Sequence, residues 1–411
     1  MPDVRADAVK LLTELVAIDS VNPGLVPGAA GEGEIVAHLR TRLTARGFAT
    51  TVVPSAGHGD RPSLVAVPPG PAEWPTVVLN GHLDTVGVAG MAKPFRPRIE
   101  GDRLFGRGAA DMKGGIAAIV TAAEHLVATK APVRPVLALV ADEEDASLGS
   151  ESVIGALPDL GIRPDACIIT EPTDLALCRS LRGFAAVRVG FTGRAAHSSQ
   201  AELGSNAVTH LGRLLNAVDA RAPEIRATGG DLMVTLVRGG ESLFVVPDHA
   251  ECVVEMRTTP DAPSDIAVTE VRALLDPQWC AEAELLVHRD GWRLDQSGPA
   301  TDLANRLSTQ LETARDFDAP YWMEAPLWQE LCPTLICGPS GGGLHAVDEW
   351  VDLRQVEALS AALVTVLSTW EPPGIGEPPG IGEPPGIGEP PGIGESQGIG
   401  ESQGDGHHDA H

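Results

Sequence analysis

The sequence is poor in basic residues, since 30 lysines and arginines stand against 56 aspartates and glutamates in 411 residues, a net charge of -26 at pH 7. Nucleic acids and anionic membranes attract proteins largely through basic side chains, so this balance argues against both as partners. Aromatic residues make up only 4%, but 43% of the residues are hydrophobic, which suffices for a large core or for two domains. The leading class of function is chemistry on small molecules.

Cysteine is scarce as well, and the six cysteines lack the CxxC spacing of a thiol zinc site. This usage is typical of reduced thiols in a cytosol rather than of a disulfide framework. Long hydrophobic runs are absent from the sequence too: the opening stretch MPDVRADAVKLLTELVAIDS alternates charged and apolar residues, and no later run has membrane-spanning length. We therefore expect a cytoplasmic protein with no membrane partner.

The end of the chain is a repeat of six residues. From Glu371 the sequence reads EPPGIG four times, then ESQGIG and ESQGDG. Because glycine and proline disfavour helices and central strands, residues 371–411 are predicted to form a disordered tail. Without this tail, 30 basic and 48 acidic side chains remain, a net charge of -18, so the acidity belongs to the folded part as well.

Upstream of the tail, short runs typical of strands alternate with helical stretches. Strands at 76–79, 136–140 and 166–169 and a helix at 112–127 have the βαβ rhythm of a mostly parallel sheet with helices on both faces. A further strand at 335–337 and a helix at 353–367 resume the same pattern near the end. The fold class is therefore predicted as α/β, with a first domain that covers residues 1–180 and 291–370.

The middle of the chain has a different order of elements. Residues 181–290 read as strand, helix, two strands, helix and strand, which is the β-α-β-β-α-β order of a ferredoxin-like fold. This segment interrupts the first domain. The sequence therefore predicts an inserted α+β domain at 181–290.

Side chains that can bind a divalent ion follow four predicted strands of the first domain: His82 and Asp84, Glu143 and Glu144, Glu171 and, after a glycine loop, His345. A further candidate, Asp111, lies where the loop GRGAADMKGG enters a helix. Because the carboxyl ends of parallel strands meet at one edge of a sheet, we expect these side chains to converge there. Mixed imidazole and carboxylate ligands favour zinc, which cobalt or manganese can replace.

The charges favour two ions over one. Asp111, Glu144 and Glu171 supply three negative charges, and a bridging hydroxide supplies a fourth, which balances two divalent cations. Glu143 is adjacent to Glu144, and adjacent residues at a strand end point in different directions. One of them can then bind metal while the other faces the cleft as a general base. Each motif alone has a plain alternative, such as a solvated loop for 142–145.

Five motifs in this order, GHLDTV, GRGAADMKGG, ADEED, TEPTD and GPSGGGLHAVDEW, resemble the dinuclear-zinc family of peptidases and deacylases. That family includes acetylornithine deacetylase, succinyl-diaminopimelate desuccinylase, carboxypeptidase G and aminoacylase. The resemblance covers about Val4 to Leu367. It implies a zinc-hydrolase catalytic domain with an inserted lid and dimerisation domain.

The resemblance also implies roles for particular residues. Two sets of zinc ligands would share one carboxylate: His82, Asp111 and Glu171 for one ion, and Asp111, Glu144 and His345 for the other. Asp84 would orient His82, and Glu143 would be the general base. The peptide bond between Asp111 and Met112 would be cis.

In the inserted segment, the resemblance implies a homodimer in which His197 reaches the partner's cleft and stabilises the oxyanion. A surface histidine at a strand end is the alternative. Asn206 and Arg257 would hold the substrate's carboxylate, Arg257 through a bidentate pair. A solvated arginine on the face of the sheet is the alternative for Arg257.

The stretch YWMEAPLWQELCPTLICGP resembles acetylornithine deacetylase more than the carboxypeptidases. Glu324 within it would pair with a basic amino group of the substrate, although the stretch could equally pack around Trp322 and Trp328. The resemblance thus implies hydrolysis of a small N-acyl amino acid or dipeptide, with a metal-bridging hydroxide as the nucleophile. A desuccinylase or a dipeptidase with the same chemistry is one alternative, and a non-catalytic binding protein is another.

Overall fold

The structure is a computed structural model that describes residues 4–313 and 315–373, so most of the predicted tail lies outside the described residues. Its helices are α1 (Val4–Val16), α2 (Gly33–Ala45), α3 (Gly114–Thr129), α4 (Leu148–Ala156), α5 (Ala207–Ala227), α6 (Ile266–Ala273), α7 (Pro299–Gln310), α8 (Ala325–Gln329) and α9 (Leu353–Leu367). Its strands are β1 (Ala49–Ser55), β2 (His58–Val67), β3 (Thr76–His82), β4 (Arg98–Glu100), β5 (Arg103–Phe105), β6 (Arg134–Val140), β7 (Ala166–Ile169), β8 (Leu177–Leu181), β9 (Gly183–Thr192), β10 (Asp231–Gly239), β11 (His249–Thr258), β12 (Ala281–Arg289), β13 (Trp292–Arg293), β14 (Asp316–Ala319), β15 (Thr334–Ile336), β16 (Gly341–Gly342) and β17 (Trp350–Asp352).

The central sheet has the strand order β1-β2-β6-β3-β7-β15. Strands β6, β3, β7 and β15 are parallel, whereas β1 and β2 join the sheet by antiparallel pairing. Every residue of β3 and β7 is buried, as expected for parallel strands covered on both faces. Because β6, β3 and β7 are neighbours and point the same way, their carboxyl ends lie side by side.

Helices surround this sheet in two groups. Helix α3 contacts α1 and α9, and its many alanines and glycines allow close approach of the three helices. Helices α2 and α4 pack against β1 and β2. Together these elements form one large hydrophobic cluster. In the described ranges, no helix combines the length and the apolar character that a bilayer span requires.

A second sheet, β10-β11-β9-β12, is antiparallel throughout. Side chains of β9 and β11 alternate between buried and less buried positions, and α5 and α6 pack against these strands. The result is a separate hydrophobic cluster. The order β9, α5, β10, β11, α6, β12 is the order that the sequence pattern predicts, while the proposed domain boundaries stay a prediction.

Three helices differ from their predicted bounds. Helix α3 begins at Gly114 instead of residue 112, because Asp111 and Met112 have non-helical backbone angles. The sequence pattern predicts α5 over residues 206–218, but the helix continues to Ala227, because buried Ala222 and Ile225 extend its apolar stripe at helical spacing. Helix α6, predicted over residues 264–275, is shorter at both ends. The closing helix α9 has the predicted bounds.

Candidate metal centre

Three neighbouring strands deliver side chains to one edge of the central sheet. His82 is the last residue of β3, and Glu143 and Glu144 follow the end of β6. Glu171 lies two residues after the end of β7. The predicted convergence at the carboxyl ends of parallel strands is therefore present, and it follows from the β6-β3-β7 order of the sheet.

Asp111 lies between two imidazoles. Its Oδ1 is 3.0 Å from Nε2 of His82, and its Oδ2 is 3.3 Å from Nε2 of His345. The peptide bond that follows Asp111 is cis, as the resemblance implies. A carboxylate that faces two imidazoles through different oxygens has the arrangement of a ligand shared by two ions.

The other predicted ligands complete the two sides of this arrangement. His82 Nε2 is 3.8 Å from Oε1 of Glu171, and His345 Nε2 is 3.1 Å from Oε2 of Glu144. Glu143 is close as well, because its carboxylate lies within 4.8 Å of the ligand atoms of His82 and Glu171. The structure thus brings together the five predicted ligands and the predicted base.

The donor set fits divalent cations. Oε1 of Glu144 is buried and has no hydrogen-bond partner in the part of the chain that the structure describes. A buried oxygen without a donor is costly, and a bound cation would satisfy it. Four carboxylates in this cluster face only two imidazoles, so positive charge is needed to balance them.

The pKa shifts of these carboxyl groups also indicate that the cluster needs additional positive charge. Burial raises the pKa of Glu143, Glu144 and Glu171, and the charge of a neighbouring carboxylate raises it further. Burial acts in the same direction on Asp111, but hydrogen bonds from His345 and His82 outweigh it and lower the pKa of that carboxyl. Carboxylates that repel one another in this way are held in the charged form by divalent cations.

Asp84 supports both His82 and the loop that carries the two glutamates. His82 Nδ1 is 3.1 Å from the main-chain oxygen of Asp84 and 3.6 Å from its carboxylate Oδ1. The carboxylate accepts hydrogen bonds from the main-chain N–H of Glu143 at 3.1 Å and of Glu144 at 3.2 Å, and from Asn22 Nδ2 at 2.7 Å. Asp84 therefore contacts His82 mainly through its carbonyl oxygen.

A cleft of about 690 Å³ opens beside these side chains. Besides the acidic side chains, its wall includes Arg257, Arg289, Phe184 and Trp322. The two aromatic rings meet edge to face at 6.0 Å, and the Arg257 guanidinium lies 5.4 Å from the Phe184 ring. The cleft therefore combines acidic, cationic and apolar surfaces.

Glu324 is not on the wall of this cleft. Its side chain is 1% exposed, and its Oε2 accepts a hydrogen bond from Ser150 Oγ at 2.7 Å. Ser150 Oγ also accepts one from Trp328 Nε1 at 3.0 Å. Burial raises the pKa of Glu324 to about 7. The residue predicted to bind a substrate amine thus lies in the interior, in the packing region that the alternative interpretation describes.

His197 and Asn206 are not part of the metal cluster of this chain. His197 is exposed, and its Nδ1 accepts a hydrogen bond from the main-chain N–H of Ser199 at 3.2 Å. Asn206 caps α5, because its side chain accepts a hydrogen bond from the N–H of Thr209 at 3.1 Å. Their roles in catalysis and in substrate binding stay predictions.

The sequence patterns assign no role to Asn22 or Glu349, both of which contact the site. Glu349 lies in the motif GPSGGGLHAVDEW, in which the sequence pattern assigns a role only to His345. No local signal marks Asn22, because its contact with Asp84 joins residues far apart in the chain.

Comparisons with known proteins agree with this geometry. A tripeptidase from Staphylococcus aureus has a similar fold, with a TM-score of 0.73, 17% identity, and coverage of 89% of this chain and 98% of that one. An acetylornithine deacetylase from Pasteurella multocida is 27% identical over 339 residues, which cover 78% of this chain and 86% of that protein. A succinyl-diaminopimelate desuccinylase from Leptothrix cholodnii is 28% identical over 379 residues, or 85% of this chain and 95% of that protein.

The family model described as "Peptidase family M20/M25/M40" matches residues 78–369, which include the five predicted metal ligands. This match confirms the resemblance on which the sequence analysis relied. The chain belongs to peptidase family M20/M25/M40 and is a metal-dependent hydrolase that acts on amides.

Proposed function

We propose that the protein hydrolyses the amide bond of an N-acyl amino acid that has a free carboxylate. The main support is the position of Asp111 between His82 and His345, beside a cleft that Arg257 also lines. The cluster around Asp111 can hold cations next to a scissile carbonyl. Arg257 can hold the anionic end of the substrate.

Two ions would each take three ligands: His82, Asp111 and Glu171 for one, and Asp111, Glu144 and His345 for the other. Zinc suits this mixture of nitrogen and oxygen ligands, and cobalt or manganese can replace it. When bound, the ions would lower the pKa of a water between them and polarise the scissile carbonyl.

Glu143 would take the proton of the attacking water and return it to the leaving amine. Its side chain lines the cleft and lies beside His82 and Glu171. Its main-chain N–H is held by Asp84, which restrains the side chain near the ligands. One glutamate of the adjacent pair then binds a cation while the other transfers protons.

The inserted domain would supply substrate contacts. Arg257 would bind the substrate carboxylate in a bidentate pair, and its Nε already contacts Glu255 at 2.7 Å. We propose that His197 reaches the cleft of a partner subunit in a homodimer formed through this domain, and that Asn206 contacts the substrate carboxylate. Both residues are exposed in this chain and are therefore accessible to a second copy.

The interior position of Glu324 bears on the choice of substrate. A preference for a basic substrate such as N-acetylornithine depended on this side chain, which does not line the cleft. Phe184, Tyr321 and Trp322 do line it and favour an apolar side chain or acyl group. N-acetylated apolar amino acids are therefore the first substrates to test, next to N-acetylornithine.

A desuccinylase is the second candidate. A second guanidinium, that of Arg289, lines the same cleft and would suit a substrate with an additional carboxylate. Arg289 also contacts Glu151 at 2.9 Å and the main-chain oxygen of Ala146 at 2.8 Å, so it would have to share these contacts with the substrate.

A panel of substrates tests the proposal. The protein, loaded with zinc or cobalt, is incubated with N-acetylmethionine, N-acetylphenylalanine, N-acetylornithine, N-succinyl-diaminopimelate and dipeptides, and the released amine is measured. We expect release from the N-acetyl compounds, with faster release from the succinyl compound if the second candidate is correct. Release from dipeptides alone would favour a peptidase. No release from any compound would overturn the proposal and favour a binding protein.

A further inference from the structure

Glu349 is a buried carboxylate in which each oxygen accepts two hydrogen bonds. Its side chain is 1% exposed. Oε1 accepts from the main-chain N–H of Ala110 at 2.9 Å and of Asp111 at 3.1 Å. Oε2 accepts from the main-chain N–H of Gly108 at 2.9 Å and from Arg107 Nη1 at 2.7 Å. All donors therefore come from the short segment that ends at Asp111.

Three main-chain N–H groups of this segment converge on one carboxylate, which forms an anion-binding turn. Gly108 makes the turn possible, because its φ is +76° and a Cβ there would lie 2.6 Å from Cγ2 of Thr85. With the N–H of Asp111 held, the direction in which its side chain leaves the main chain is restricted. Glu349 thereby restrains the carboxylate that faces both His82 and His345.

The same contacts reach the loop that carries His345. Arg107 Nη2 donates to the main-chain oxygen of Ala346 at 3.0 Å, and the main-chain N–H of Gly106 donates to the main-chain oxygen of Glu349 at 3.1 Å. The His345 side chain is 56% exposed, so it has little packing of its own. Besides its own contacts with Asp111 and Glu144, the bonds between its loop and residues 106–111 restrict its position.

We propose that Glu349 is a positioning residue for the metal centre. It holds Asp111 directly and His345 through Arg107, and so keeps these two residues at the distance at which both can bind the same ion. This inference rests on the proposed function. Glu349 acts through Asp111 and His345 and contacts neither substrate nor metal, because its oxygens are already used by Arg107 and the main chain.

The alternative is that Glu349 only stabilises the fold as half of a buried ion pair. The chain offers a matched control for this alternative. Glu124 on α3 is 8% exposed and accepts hydrogen bonds from Arg42 Nε at 2.7 Å and Nη2 at 2.9 Å. Like Glu349, it is a buried carboxylate paired with an arginine, but its hydrogen bonds are with Arg42, outside the segment of Asp111 and the loop of His345.

The test compares E349Q with E124Q. Glutamine keeps the size of the side chain, but its amide nitrogen cannot accept the hydrogen bonds that one oxygen accepted. We expect E349Q to raise the apparent Kd for zinc and cobalt about 10- to 100-fold, as loss of a residue that supports metal ligands typically does. Metal affinity is measured by competition with a chelator, and the visible absorption of bound cobalt reports changes in ligand geometry.

The control separates positioning from stability. E124Q should lower Tm while leaving the Kd for cobalt and the cobalt spectrum unchanged. If E349Q also lowers only Tm and keeps the wild-type affinity and spectrum, Glu349 has a structural role and the proposal is wrong. If the wild-type protein binds no metal or hydrolyses no compound of the panel, the failure lies with the proposed function instead.

A second variant covers the case in which E349Q does not fold. R107K keeps the positive charge beside Glu349 but lacks the second nitrogen that reaches Ala346. We expect it to weaken binding of one ion, the one assigned to His345, more than binding of the other, which a cobalt titration resolves as two unequal steps. A titration identical to that of the wild-type protein would contradict the positioning role.

Discussion

The carboxylate of Asp84 accepts a hydrogen bond from the main-chain N–H of Glu143 at 3.1 Å. This bond joins the end of β3 to the loop after β6, so a change at one strand end is transmitted to the other. Burial disfavours the charge on Asp84, but the imidazole of His82, 3.6 Å from Oδ1, and the hydrogen bonds from Asn22 and from the main-chain N–H of Glu143 lower the pKa of this carboxyl below its usual value. A charged acceptor therefore lies directly behind the predicted metal ligands.

Replacing this acceptor should impair the site without unfolding the protein. D84N keeps the shape of the side chain, but its amide nitrogen would face the donors Glu144 N–H and Asn22 Nδ2. We expect kcat/KM or metal affinity to fall about 10- to 100-fold, which steady-state kinetics and chelator competition measure. A variant with wild-type kinetics and affinity would show that the main-chain carbonyl of Asp84 is sufficient.

Loss of the proposed base should separate chemistry from metal binding. E143Q removes the proton acceptor but no predicted ligand, so the metal content should stay at the wild-type value while kcat falls by about 10² to 10⁴. Metal analysis and single-turnover kinetics check both quantities. Loss of metal in E143Q would instead identify Glu143 as a ligand, which its distance to His82 and Glu171 also permits.

Removal of the metal should abolish activity and lower thermal stability. The carboxylates of the cluster lose their counter-charges on chelation, and ligand binding to the folded state contributes about 2.7 kcal/mol when the free metal is at 100 times its Kd. Differential scanning calorimetry before and after chelation, and again after zinc or cobalt is restored, measures the effect. An unchanged Tm across the three states would argue against a cation at this site.

Arg257 should affect substrate affinity more than turnover. R257M removes the guanidinium from the cleft wall but keeps an apolar contact with Phe184, so KM for N-acyl amino acids should rise by about tenfold or more. R188M is a suitable control, because Arg188 lies on the neighbouring strand β9 and pairs with Glu284. Equal KM values for the wild-type protein and R257M would show that Arg257 does not bind the substrate and is a solvated arginine on the face of the sheet.

We expect the stability of the folded protein to depend on pH through the buried Glu324. Burial raises its pKa from 4.5 to about 7 in the folded protein, so folding takes up a proton. Its contribution is fully present below pH 4.5 and is lost as the pH rises through 7. In chelated protein, E324Q should therefore gain stability relative to the wild type between pH 5 and about pH 7.5, as urea unfolding measures. E330Q, at an exposed glutamate nearby, is the control, and parallel curves for the two variants would refute the prediction.

The sequence alone determined the elements that carry the predicted ligands. Buried parallel strands such as β7 are short apolar runs, and the polar residues that follow them are visible without knowledge of their neighbours. The bounds of β7 match their prediction for this reason. The candidates for metal ligands could likewise be named, because each lies next to a strand end or a glycine loop, while the choice of five predicted ligands among them depended on the family resemblance.

Only the tertiary structure decided which side chains surround those ligands. The sequence pattern indicates that Glu324 is a polar residue available to the substrate, yet its side chain lies in the interior, where it contacts Ser150. Glu349 lies 238 residues from Asp111 in the chain, and its hydrogen bond to that residue depends on how two loops meet. Local periodicity reports the burial of a strand or a helix face, but such contacts arise only when distant loops are brought together by the packing of the whole core.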